Sequence, residues 1–196
     1  LVRGIGVVSS IIGTFAVSKW KTKGDAFKAM ALSYDLSSAI STVSFFLLAW
    51  FYVNDANYMG LRVFAATFMG ILLAVGFNKL TAYFTSPAKP PVKQIVKSAD
   101  TGAATVILSG LSVGFESTVW AIFIIGATIV ASYMIFLGYP TVFAFYGVSL
   151  AGIGMLSHTG NNVSMDTFGP ISDNASGIGE IAGTDAKSRK LLAELD

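Results

Sequence analysis

The feature that most constrains this chain is a succession of apolar runs, most of them at least as long as the roughly 20 residues a helix needs to cross a hydrocarbon core. Five can be drawn, over residues 1–17, 29–53, 58–84, 103–137 and 141–180, the first of them short. None alternates apolar and polar residues as the strands of a membrane barrel do, so the runs predict helices. With 54% hydrophobic and 12% charged residues, the chain is also too apolar for an ordinary soluble domain. The expected fold is all-α, a multi-span transmembrane bundle of about five helices over residues 1–183. Residues 184–196 should form a cytoplasmic connection. The sequence starts at Leu1 and stops in a polar stretch at Asp196, so it is expected to be a piece of a longer polypeptide rather than to open on a signal peptide.

Basic residues set the expected orientation. Lys19, Lys21, Lys23 and Lys28 follow the first run, Lys79, Lys89, Lys93 and Lys97 follow the third, and Lys187, Arg189 and Lys190 lie in the tail. These belong on the cytoplasmic side, opposite the sparse connections around Asp55 and Arg62 and at Gly138-Tyr139-Pro140. The N-terminus is then outside. A net charge of +2, with its lysines confined between apolar runs, describes no nucleic-acid surface. The absence of cysteine excludes disulfides, thiolate metal sites and cysteine nucleophiles. Pro87, Pro90 and Pro91 should make the 85–92 link stiff and extended.

The chemistry concentrates at the end of the fifth run. Asp166, Asp173 and Glu180 are seven residues apart, close to two helical turns, so a helix would set them on one stripe about 10 Å apart. From Thr141 to Asp173 a helix would be about 50 Å long against a core of about 30 Å. Its last turns should therefore project into the cytoplasm, lifting Asp173, Asn174 and Glu180 out of lipid, with Gly169-Pro170 as a point where the axis can bend. A membrane-exit segment with solvated acids explains any one of these carboxylates as well as function does, but explains the set less well. Three carboxylates with no Lys or Arg nearby cannot hold a phosphate directly. They can hold hard divalent cations, magnesium above all, that in turn bind phosphate oxygens. Elsewhere, Glu116 and Asp35 read as structural or solvated acids, and His158 as a packed, hydrogen-bonded side chain rather than a ligand or relay. Gly147, Ala151, Gly152 and Gly154 should permit close helix packing.

These residues resemble a known family. Tyr146-Gly-x-x-x-Ala-Gly-Ile-Gly-Met-Leu-Ser157, followed by Asp166-Thr-Phe-Gly-Pro-Ile-Ser-Asp-Asn-Ala-Ser-Gly-Ile-Gly-Glu-Ile-Ala-Gly183, is similar to the membrane-integral, ion-pumping pyrophosphatases. Their pattern here is close to Asp-x-Tyr-Gly-Pro-Ile-x-Asp-Asn-Ala-Gly-Gly-Ile-Ala-Glu-Met. Tyr83-Phe-Thr-Ser, Pro91-Val-Lys, Thr101-Gly-x-Ala-Thr105 and Gly110-Leu-x-x-Gly-x-Glu-Ser-Thr118 match in order and spacing. The departures are Phe168 for Tyr, Ser176 for Gly, Gly179 for Ala and Ile181 for Met. The resemblance implies a fragment of a homodimeric pump. That pump would hydrolyse pyrophosphate at a cytoplasmic Mg2+ site and move H+ or Na+ outward, in a bacterial inner membrane or the membrane of an acidic eukaryotic organelle. It implies that Asp173 binds the metal and substrate, with Asp166 and Asn174 as companions and Glu180 a further candidate. The remaining site helices would lie in the rest of the polypeptide, and the fragment alone should be inactive. The alternative is a secondary transporter that uses the same acids for a coupling cation without hydrolysis.

Overall fold

In the computed structural model, residues 1–17, 26–53 and 58–195 are described. Lys19, Lys21, Lys23 and Asp55 lie outside the described residues. The described part is all-α: α1 (Val2–Val17), α2 (Ala26–Tyr52), α3 (Met59–Thr85), α4 (Pro90–Ser98), α5 (Ala103–Ile135), α6 (Thr141–Met155), α7 (Thr159–Ile181) and α8 (Ala186–Leu195). Short 3-10 turns at Ala99–Thr101 and Leu156–His158 lead into α5 and α7. Among the described residues, four helical stretches are long and apolar enough to cross a membrane, namely Lys28–Tyr52, Met59–Thr101, Ala103–Ile135 and Thr141–Ile181; α1 is apolar but shorter. The chain is therefore a multi-span membrane protein.

The structure departs from the sequence expectation at three places. The link at 85–92 is not one extended piece. Only the residues preceding prolines, Ser86 (ψ 128°) and Lys89 (ψ 156°), are extended, and Pro90 and Pro91 open α4. Proline suits a first helical turn, where its missing N–H would have had no partner. The fifth run stays helical through Gly169-Pro170, and its irregular turn falls at Leu156–His158 instead. The tail, expected as a connection, contains α8.

Two compact units divide the chain. The second, Phe45–Leu156, is built on α3, α5 and α6 around Val63, Ala66, Phe136, Ala144 and Leu150. Its tightest feature is the crossing of α3 and α6. A Cβ on Gly70 would strike the carbonyl oxygen of Ala151, and one on Gly154 would strike that of Thr67, so the two backbones touch through their glycines. Small residues allow this approach, which brings dispersion contacts where lipid offers no hydrophobic drive. Gly138, at φ 91°, permits the short turn from α5 to α6. Arg62 closes the same end: its guanidinium donates to the Ile135 carbonyl near the C-terminus of α5 and lies 5.0 Å from the centre of the Tyr139 ring.

The first unit joins Leu1–Ser44 to Ser157–Asp196. Its interior is hydroxyl-rich: Ser9, Ser10, Ser33, Ser37, Ser38, Ser41, Ser157, His158 and Asn161 are all buried. Some hydroxyls of this unit are satisfied within their own helix, while Ser37 and Ser41 Oγ find no partner among the described residues. Ser9 donates to the Ile5 carbonyl (2.9 Å), Ser38 to that of Tyr34 (2.8 Å) and Thr42 to that of Ser38 (2.8 Å). Others tie segments together, Ser10 to the Ser157 carbonyl (3.1 Å) and Asn161 Nδ2 to Ser33 Oγ (3.2 Å). His158 has the packed, hydrogen-bonded role expected of it. Its ring stacks on Tyr34 at 5.0 Å, and Nε2 lies 2.9 Å from Ser38 Oγ. With Ser38 Oγ donating to the Tyr34 carbonyl, the Nε2–H tautomer would satisfy both contacts.

Asp185 caps α8. Its Oδ1 accepts from the Ser188 backbone N–H at 2.8 Å and Oδ2 from the Ser188 hydroxyl at 3.0 Å. The backbone bond above all, then the hydroxyl, holds the carboxyl below the usual carboxylate range. These bonds favour the ionised form only in the folded helix. The cap is therefore at full strength above the carboxyl's unfolded pKa, and it is lost as pH falls through the depressed folded value. Amide protection in α8 is expected to drop in Asp185→Ala at neutral pH, and in the unaltered chain on acidification below the carboxylate range. Equal protection in the variant would exclude the cap.

Candidate functional site

α7 carries the candidate residues, and its packing decides which way they face. Asn161, Ser172 and Gly179 are buried, with Met165 and Phe168 half-buried between them, so one stripe of the helix faces the interior of the first unit. At 100° per residue, Asp166, Asp173 and Glu180 fall on a second stripe about a third of a turn away. All three are exposed. Seven residues of helix separate neighbours by about 10 Å, too far for two of these carboxylates to share one ion. Among the described residues, no three of His, Asp and Glu gather closely enough to hold a metal together. The stripe is thus a row of separate anionic positions, one wall rather than a closed cage.

Proline leaves that wall helical, with local reinforcement. Ser172 donates to the Gly169 carbonyl at 2.9 Å, and Asn174 Nδ2 donates to the Pro170 carbonyl at 2.7 Å. Asn174 is therefore not beside Asp173 on the acidic stripe. It lies one residue further round the helix, its amide nitrogen engaged with the backbone. As donors, exposed carboxylate oxygens suit a hard divalent cation such as magnesium, which takes one or two carboxylates and completes its shell with water and phosphate oxygens.

Around Phe168 and Gly179 the departures from the family pattern have visible partners. Phe168 lines a cavity of about 190 Å³ together with Thr14, Met30, Ser33, Asn161 and Met165, on the side of α7 away from the acids. A Cβ on Gly179 would meet the end of Leu192, so the glycine leaves room for α8. That helix was missed in the sequence. Its signal is the Asp185-x-x-Ser188 start and the Leu191-Leu192 pair that follows. Asp35 and Glu116 are both exposed, Asp35 in the third turn of α2 and Glu116 on α5. The hydroxyls beside Glu116 do not serve it, since Ser117 (2.7 Å) and Thr118 (3.0 Å) both donate to the Gly114 carbonyl.

Comparison with known proteins gives this helix a context. The sequence profile described as "Inorganic H+ pyrophosphatase" matches residues 1–196. The chain is 46% identical, over its whole length, to 26% of a K(+)-insensitive pyrophosphate-energized proton pump of Chloroflexus aurantiacus. It is 38% identical, over 97% of its length, to 28% of the protein of the same name from Methanosarcina mazei. Over its whole length it is 36% identical to 28% of a putative K(+)-stimulated pyrophosphate-energized sodium pump of Clostridium tetani. The chain thus spans about a quarter of the length of the curated relatives it matches.

Proposed function

Because the chain belongs to the inorganic H+ pyrophosphatase family, we propose that it is the part of a membrane pump that presents one acidic wall of a pyrophosphate site. The whole protein hydrolyses pyrophosphate with Mg2+ and couples the reaction to outward movement of H+ or Na+. The observation that carries this reading is the stripe of exposed carboxylates at the far end of the apolar helical stretch Thr141–Ile181. Asp173 is the residue assigned to the metal and substrate, with Asp166 two turns away on the same stripe and Asn174 one residue further round the helix as its companions, and Glu180 a further candidate. Magnesium, when bound, neutralises phosphate charge and polarises the bond that breaks.

The chain's own contribution is positional. A rigid helix fixes the carboxylates at a set height, and the Asn174 bond to Pro170 braces the backbone around the proline. Facing walls, and the partner subunit of a homodimer, come from the remainder of the polypeptide and a second copy. A secondary transporter built from these acids alone would need them gathered around one cation, which the described residues do not do.

The test uses the full-length protein in sealed vesicles. Adding pyrophosphate and magnesium together should build an ion gradient, and either one alone, or both with a chelator, should not. Ion movement down a pre-set gradient without pyrophosphate cleavage would establish the transporter instead.

A further inference from the structure

We propose that α4 is a membrane-surface helix that binds the phosphate headgroups of anionic lipids through a lysine stripe. It sits between α3 and α5 in sequence and packs against both, as the last part of the stretch Met59–Thr101, just before Ala103–Ile135 begins. Lys89 at its N-cap, then Lys93 and Lys97, recur every four residues, and all three are exposed. Helical geometry places them on one side. The helix itself contains no acidic residue, and Asp100, in the 3-10 turn that follows, is the one acid near the stripe's end against three lysines. Its opposite side is turned inward, with Pro91 buried and Val92, Ile95 and Ser98 half-buried.

A second feature separates this stripe from a merely solvated one. Val96 is 66% exposed and falls beside the lysines, not on the packed side. Tyr83, near the end of α3 that leads into this link, is 42% exposed. Apolar and amphipathic groups next to ammonium groups are the pattern of a helix lying in the interface. The valine enters the acyl boundary, and lysine stems run along it to bring their charges to headgroup level. Free pyrophosphate would engage the same ammonium groups but gain nothing from Val96 and Tyr83. That difference selects the lipid.

Each lysine near an anionic surface strengthens attraction about fivefold, so three together give roughly a hundredfold preference for an anionic over a zwitterionic headgroup. The full-length protein, extracted from bilayers of equal phosphatidylglycerol and phosphatidylcholine, should retain an excess of phosphatidylglycerol by native mass spectrometry. That excess should fall as salt is raised and vanish in the variant carrying Lys89→Gln, Lys93→Gln and Lys97→Gln. It should survive Lys187→Gln with Lys190→Gln. Retention unchanged in the triple variant, or lost equally in the tail variant, would overturn the assignment to α4. Displacement of the lipid by pyrophosphate at constant ionic strength would instead make the stripe a site for the free anion. None of these outcomes depends on whether Asp173 binds magnesium.

Discussion

Replacing Asp173 by asparagine in the full-length protein should abolish magnesium-dependent pyrophosphate hydrolysis, lowering turnover by about 100-fold or more, the scale on which a transition state loses one electrostatic partner. The substitution changes charge and almost nothing else. Asp173 is exposed on α7, so folding should move by no more than about 0.5 kcal/mol. An amide oxygen cannot compensate a divalent cation as a carboxylate does, and raising magnesium should restore little. Asp166→Asn, two turns away on the same stripe, should impair hydrolysis less. Yield, thermal midpoint and phosphate release measured on the same preparations separate catalysis from folding. Near-normal turnover of Asp173→Asn at saturating magnesium would remove the residue from the site.

Gly154→Val should cost the protein its folded state. The new side chain would enter the Thr67 backbone at the α3–α6 crossing, where a flexible neighbour cannot simply turn away. Overpacking of a core typically costs about 1–3 kcal/mol. Here relief requires two helices to part, and with them the packing of Val63, Ala66, Ala144 and Leu150. The same helix supplies the control. Gly152 is exposed, and a Cβ placed there meets nothing within 4 Å, so Gly152→Val should leave the thermal midpoint of the detergent-solubilised protein nearly unchanged. Equal tolerance of both substitutions would mean that the crossing is not held by contact.

Membrane helices are legible in this chain because the hydrocarbon core imposes one requirement, about 20 apolar residues, and composition reports it directly. The acidic stripe was readable for a related reason: a spacing of seven maps onto a helix face whatever the helix packs against. The local breaks were harder. Pro170 was a sound candidate for a bend, yet the irregular turn fell at Leu156–His158, where Ser10 reaches the Ser157 carbonyl and Gly6 lies against Ser157. That choice depends on residues some 150 positions away in sequence, which no local pattern encodes. At 85–92 proline carried two meanings, extended backbone before the ring and a helix start at the ring. Only the packing of Pro91 shows which applies at each residue. Asn174 was placed with Asp173 by the family resemblance; on the helix the two side chains point about 100° apart.

The make-up of the first unit bears on how the chain is built in the cell. Its two segments, Leu1–Ser44 and Ser157–Asp196, are separated by the whole of Phe45–Leu156. At roughly 5–20 residues per second, the ribosome needs on the order of ten seconds to deliver that intervening stretch. Through this interval α1 and α2 are already made, but Ser157, His158 and Asn161, the partners of Ser10, Ser38 and Ser33, have not emerged. Hydroxyls that bond to their own helix, as those of Ser9, Ser38 and Thr42 do, stay paired while these early helices wait in a greasy environment. The serine-rich interior is therefore suited to a protein assembled out of order, since each helix can enter the bilayer alone and acquire its distant partner later.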